Sequence, residues 1–384
     1  MIYWGIDCLL ALNPSWKKKR IALVTNHAAI NNNHIPTRQA LQNEGFSVVK
    51  LFSPEHGLDV KGADGAKMND GIDALTKLPV ISLYNNKLAP DENDLKDIDI
   101  ILFDIPDIGC RFYTYLWTMT HVLEAAAHYQ KKLIILDRPN PISGNLNLSE
   151  APMLDEKYCV SFIGRYSIPL RHSCTLGELA LYFNQTKNIH ADLEIIKCKG
   201  WQRNMFQPDW GIPFVPTSPA IKNFQSALLY PGLGLLEATN ISEGRGTEKP
   251  FVIIGAPWID TSLLIKSFIG LSAKAIQFIP TESKYANETC NGIEFEVKNP
   301  QQFNSVQNGL LLIKLIKDLH PEYFQWKPYP TNVNPNGKNH LDKLLGIHQS
   351  EQLFNLSLGD FKDKISVLIN SQLWQKNMQP YLLY

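Results

Sequence analysis

Cysteine is scarce in this chain, and what there is lies scattered. Six residues (Cys8, Cys110, Cys159, Cys174, Cys198, Cys290) are spread over 384 positions without a C-x-x-C pair. The spacing therefore encodes neither a zinc site nor a disulfide framework, and reduced thiols are the simplest reading. No run of 18 consecutive apolar residues occurs, so no segment reads as a membrane-spanning helix. There is no excess of positive charge: 37 Lys and Arg face 37 Asp and Glu, which argues against a nucleic-acid partner held through its phosphates. Phosphate-binding loops are missing as well. No G-x-G-x-x-G follows the first apolar run and no G-x-x-x-x-G-K-[ST] is found; "GLGLLE" (232–237) has two glycines without the third. No nucleotide cofactor is expected. The opening "MIYWGIDCLLALNPSWKKKR" lacks a basic segment ahead of a long apolar core, so it does not read as a signal peptide. As written, the chain is expected in the cytoplasm; a leader removed beforehand would place it in the periplasm or outside the cell.

What is present is a regular alternation. Apolar runs at 20–26, 46–52, 78–84, 97–105 and 131–137 read as buried strands, and helical spacing separates them at 37–45 and 113–130. Strands that are apolar throughout and divided by helices imply a mainly parallel sheet covered on both faces. The fold class is thus α/β: a Rossmann-like, doubly wound sheet. A Pro- and Trp-rich stretch, 199–225, is irregular. Beyond it come a strand near 250–258, a helix near 260–272, strands near 276–280 and 292–297 and a helix at 304–319, a smaller α+β domain. The expected division is 1–223 and 224–384.

Open α/β sheets bind ligands outside the carboxyl ends of their strands. After the first strand comes Asn26-His27, and after the second Pro54-Glu55-His56-Gly57. The fourth is followed by Asp104, Asp107, Arg111, Tyr113 and Tyr115, and the fifth by Asp137, Arg138 and Asn140. Carboxylates, imidazoles, arginine and tyrosines, without a thiol motif, suit carbohydrate chemistry. Glycosidic cleavage needs a carboxyl group that protonates the leaving oxygen, and usually a second that activates water or attacks the sugar. Glu55 qualifies as the acid if the sheet edge desolvates it. The tyrosines either contact sugar or belong to the core. Arg171 and His172 precede a helix whose Thr175 and Glu178 fit a capping box, T-x-x-E. Glu243 adjoins the Gly244-Arg245-Gly246 loop, followed by Thr247. A metal-assisted route through His27, His56 and Asp104 lacks ligand spacing, and no metal is expected.

Six motifs occur in register: "SPEHG" (53–57), "CRFYTY" (110–115), "LDRPNP" (136–141), "IPLRH" with "GELA" (168–180), "EGRGTEKPF" with "GAPW" (243–258) and the terminal "PYLLY". Together they resemble the NamZ-type exo-β-N-acetylmuramidases over nearly the whole chain. The resemblance implies release of terminal N-acetylmuramic acid (MurNAc) from the non-reducing end of peptidoglycan fragments such as MurNAc-GlcNAc, without a cofactor. It points to Glu55 as the leading catalytic residue, with Glu243 or Glu178 as the second carboxylate. An arginine (Arg111, Arg171 or Arg245) should meet the lactyl carboxylate of MurNAc. Pro106 and Cys110 stand where relatives usually have Gln and Ala, and Ala220 where they have Asn. That drift leaves a non-catalytic muro-sugar-binding protein as the alternative.

Overall fold

The computed structural model describes residues 1–262, 264–265 and 271–384. Strands β1 (Ile21–Thr25), β2 (Val48–Ser53), β3 (Gly71–Ile72), β4 (Pro79–Ser82), β5 (Ile100–Asp104) and β6 (Lys132–Leu136) build the first sheet, with β9 (Leu193–Ile196) at its far edge. The order is β3-β4-β2-β1-β5-β6-β9, and every pairing is parallel except β3 with β4. The chain winds outward from β1 in both directions, which makes the sheet doubly wound. A short ribbon, β7 (Glu150–Met153) and β8 (Pro169–Arg171), lies between β6 and β9 in sequence. Strands β10 (Ile253–Ala256), β11 (Leu271–Phe278) and β12 (Cys290–Val297) form an antiparallel sheet in the order β10-β12-β11. The expected helix near 260–272 falls partly outside the described residues, and Leu271 already opens β11.

β1 and β5 are buried at every position, as strands covered on both faces must be. Their alternate side chains feed two cores. Ile21, Leu23, Leu51, Ile100, Leu102 and Ile134 point to one face, under helix α1 (Gly5–Leu12). Ala22, Val24, Phe52, Ile101, Phe103 and Ile135 point to the other, and that core runs on without a break into Ile254, Ile293 and Phe295 of the second sheet. Helices α2 (Thr37–Asn43), α3 (Glu92–Leu95), α4 (Tyr115–His128) and α5 (Leu176–Thr186) connect the parallel strands. Between the sheets lie α6 (Phe224–Leu233) and α7 (Ser305–Leu319); α8 (His340–Leu345), α9 (Leu358–Leu368) and α10 (Gln372–Met378) close the chain. The terminal segment returns to the first sheet: Trp374 Nε1 donates to His172 O at 2.9 Å and the Tyr384 hydroxyl to Asp137 at 2.8 Å.

The contact that sets the relation between α6 and α7 is backbone against backbone. A Cβ at Gly309 would lie 2.4 Å from the carbonyl oxygen of Gly232, and one at Gly232 would lie 2.0 Å from Ser305 O. Neither obstacle is a side chain that can swing aside. Gly309→Ala is therefore expected to cost about 1–3 kcal/mol or more through overpacking, read as a lowered denaturant midpoint. Gly71→Ala, where a Cβ meets nothing within 4 Å, is expected to stay within about 0.5 kcal/mol.

Candidate active site

The turn after β2 brings Glu55 into the protein. Its side chain is buried, and both oxygens are held: Oε1 accepts from Gly65 N–H at 2.9 Å and Oε2 from the Thr114 hydroxyl at 2.6 Å. The Tyr84 hydroxyl, beyond the end of β4, faces the same carboxylate. Burial pushes the Glu55 carboxyl above its ordinary range and the charge of Asp64 adds to the push, while His56, Thr114 and Gly65 oppose it. His56 occupies the left-handed region at φ 67°, an uncommon place for a residue with a Cβ. Its Nδ1 lies 2.9 Å from Gly62 O. A carbonyl can only accept, so Nδ1 carries the proton and Nε2 faces Asp64 Oδ1 at 4.0 Å.

Asp64 has the opposite electrostatic setting. Its Oδ2 accepts from the Tyr329 hydroxyl at 2.6 Å and pairs with Arg245 at 3.3 Å. Partial burial favours the neutral acid, but Arg245, His56 and the Tyr329 hydrogen bond overcome it and hold the carboxyl below its usual range. Arg245 also pairs with Glu237 at 2.7 Å and with Glu243 at 3.1 Å, and it lies over the ring of Phe251, 5.0 Å from the centroid. Glu237 in turn faces His340 Nε2 at 3.5 Å, and His340 stacks on Tyr329 with centroids 4.7 Å apart. The result is a cleft walled by both halves of the chain, with Glu55, Asp64, Glu237 and Arg245 on its surface beside Tyr84, Tyr113 and Phe162.

The sequence-derived candidates divide between this cavity and its surroundings. Glu55, His56, Tyr113 and Arg245 line it. Asn26 and Tyr115 lie just behind: the Asn26 side chain accepts from Ala28 N–H, and Tyr115, edge-on to His56, donates to Thr217 O. Thr247 caps the Gly-Arg-Gly turn by donating to Gly244 O at 2.6 Å. The other two glutamates put forward as second carboxylate do not reach the cavity wall. Glu243 is fully buried between Arg245 and Lys284, the latter at 2.9 Å. Glu178 closes the capping box of α5, pairs with Arg203 and accepts from Leu383 N–H. Nor do Arg111 and Arg171 face a ligand. Arg111 donates to the carbonyls of Pro152, Ile168 and Leu344. Arg171 donates to those of Phe303 and Ile142 beside Glu150. Both are fully buried: Arg111 fastens the loop after β5 to later segments, and Arg171 fastens β8 to segments on either side of it in the chain.

The remaining candidates tie the sheet edge together. Asp104 holds Arg138 and Thr37. Asp107 accepts from Gly109 N–H and faces His172 Nε2 at 3.2 Å, and Asn140 joins Ile142 and Cys174. Asp137 accepts from Thr175, Gly177 and Tyr384, and burial raises its carboxyl to about 6. His27 faces Arg38, so the His27–His56–Asp104 set does not assemble. Among the described residues, Glu55, His56 and Asp64 instead bring donor atoms within 4.8 Å of one another, with Arg245 already against the third. Ala220 lines the cavity, whereas Pro106 lines a separate crevice beside Trp4 and Trp210.

A carboxyl group pushed upward by burial beside one held down by an arginine, in a cleft at a sheet edge, marks a hydrolase of the acid–base type on an α/β fold. The comparisons narrow the class. Residues 21–225 match the N-terminal domain model and residues 228–384 the C-terminal domain model of the exo-beta-N-acetylmuramidase NamZ family. The chain belongs to that family. It is 42% identical over 332 residues (84% of this chain and 79% of the relative) to the peptidoglycan beta-N-acetylmuramidase NamZ of Bacillus subtilis strain 168. Two crystal structures of DUF1343 family proteins from Bacteroides fragilis NCTC 9343 superpose on it with TM-scores of 0.87 and 0.75. Each is 29% identical and covers 100% of this chain and 99% of its own.

Among the described residues, Arg245 is the one cation shared by three carboxylates. Arg245→Met is expected to destabilise the protein by about 3–5 kcal/mol at neutral pH, since it leaves buried charge uncompensated. Without the guanidinium Asp64 loses the charge that holds its carboxyl down, so the deficit in melting temperature should shrink as pH falls from 7 to 5. A deficit independent of pH would show that Arg245 acts by packing alone.

Proposed function

We propose that this protein is an exo-acting glycoside hydrolase that releases terminal MurNAc from the non-reducing end of peptidoglycan-derived glycans, with Glu55 as general acid and Asp64 as the second carboxylate. The observation that carries the reading is the placement of these two groups on one cavity wall, with burial pushing the first upward and Arg245 holding the second down. Glu55, which keeps its proton to higher pH than an exposed glutamate, has a proton to give to the glycosidic oxygen as the bond to the aglycone breaks. Asp64, ionised through Arg245 and Tyr329, faces the positive charge that develops at the anomeric carbon. After departure of the aglycone, Glu55 is the anion and takes the proton of the incoming water.

Arg245, alone of the three candidate arginines, stands on the cavity wall to meet the lactyl carboxylate. Tyr84, Tyr113 and Phe162 supply ring surface for the sugar. The family relationship and the matching curated relative support the substrate class.

Glu55→Gln is expected to lower turnover of a chromogenic MurNAc glycoside by about 10²–10⁴-fold with an unchanged melting profile; wild-type rates in the variant would remove Glu55 from the mechanism. The sign of the two shifts fixes the pH dependence. Activity requires Glu55 protonated and Asp64 ionised, so kcat/KM should fall on the alkaline side above the ordinary glutamate value of about 4.3 and on the acid side below the ordinary aspartate value of about 3.9. Tyr329→Phe, which removes a hydrogen bond to ionised Asp64, should move the acid limb upward. An acid limb that stays in place would take Asp64 out of the reaction. Calorimetric binding of MurNAc-GlcNAc without formation of product would support a binding protein instead.

A further inference from the structure

An exo-acting enzyme must pass the rest of the glycan out of the cleft around Glu55. Val333 belongs to the wall of that cleft. It also borders an open groove bounded by the 85–91 segment after β4 and by His121 and Tyr129 of the α4 region. The segment 331–333 forms the sill between the two spaces. Its Asn332 N–H donates to Gly65 O at 2.9 Å, the residue whose own N–H holds Glu55, and the Asn332 side chain donates to Asn85 O at 3.3 Å. The groove is therefore joined through two hydrogen bonds to the loop that positions the proposed acid.

Its chemistry differs from that of the cavity. The cavity carries Asp64, Glu237 and Arg245 on its wall beside Glu55. In the groove the charge of Lys87 is taken up by Asp91, at 2.8 Å, and by Asp94. Burial pulls His121 down to about 4, so its ring is neutral at ordinary pH. What remains is amide and ring surface: Asn85, Asn86 and Asn332, with Asn86 accepting from Lys67 at 2.8 Å, beside Tyr129 and the apolar Leu88. Neutral amides next to a phenol ring and an aliphatic patch match a neutral sugar with an acetamido group, whose hydroxyls and amide need hydrogen-bond partners and whose ring face is apolar.

We propose that this groove is the aglycone subsite, which takes the N-acetylhexosamine on the leaving-group side of the scissile bond. The proposal rests on the glycosidase reading of the Glu55 cavity and adds to it where the second sugar goes. The variants are Asn86→Ala, which removes a groove amide, and Asn86→Trp, which fills the groove from an exposed position. The kcat/KM for MurNAc-GlcNAc divided by that for an aryl MurNAc glycoside is expected to fall at least about tenfold in both, the Trp variant more, because the aryl group does not need the sugar contacts. A ratio within about twofold of wild type in both variants overturns the proposal. The binding test does not depend on turnover. In a Glu55→Gln background, calorimetry should show the Kd for MurNAc-GlcNAc weakened at least about tenfold by Asn86→Trp, with MurNAc alone affected less than twofold. Equal weakening of both ligands overturns the groove assignment. Failure of the wild-type protein to cleave either substrate sinks the glycosidase reading separately, since the binding comparison still reports on the groove.

Discussion

One guanidinium organises this protein. Arg245, on a turn of the second half, pairs with Glu237 and Glu243 from its own part of the chain and with Asp64 from the loop after β2. A charge in this position is stable only because it is multiply paired, and the carboxylates are tolerated only because of it. The consequence reaches beyond stability. Asp64 is kept ionised, its loop is fixed against the second half, and Gly65, the next residue, is thereby aimed at Glu55. Tyr329 and the stacked His340 close the same ring from a third segment.

Glu55 is the counterpart. It receives hydrogen bonds from Gly65 and Thr114, lies beside His56 and is buried. Desolvation outweighs the hydrogen bonds and pushes its carboxyl up, where that of its neighbour is held down. Two acids of similar intrinsic strength thus take different roles through position alone. The aromatic and aliphatic residues around them exclude water, which magnifies both effects.

The architecture was legible because the parallel strands are apolar at every position, and the ends of the five expected strands fall within three residues of those observed. Strand β9 and the β7–β8 ribbon were not, since "LEII" is half-buried and short and the ribbon has only a few residues. For the site, the rule of reading beyond each strand's carboxyl end found Glu55 and His56. Applied to the third strand it would also have found Tyr84. Asp64 lies in "KGADGAK", a glycine-broken loop with no periodicity to mark it. Tyr329 and His340 come from segments whose proximity exists only after folding. Charged residues drew attention by type, and burial reassigned several of them. Arg111, Arg171, Glu178 and Glu243 satisfy backbone groups or counter-ions, a role that their sequence neighbourhoods do not distinguish from ligand binding. The capping-box pattern around Glu178 was the exception, and its structural meaning was visible from spacing.

The most direct test of the account is the ionisation of Glu55 itself. Difference infrared titration of the wild-type protein against Glu55→Gln isolates the carboxyl band of this one residue. The account predicts a protonated carboxyl that persists above the ordinary glutamate value of about 4.3 and loses its proton only as pH rises further. A band that has already converted to carboxylate at or below that value would contradict the assignment of Glu55 as the acid.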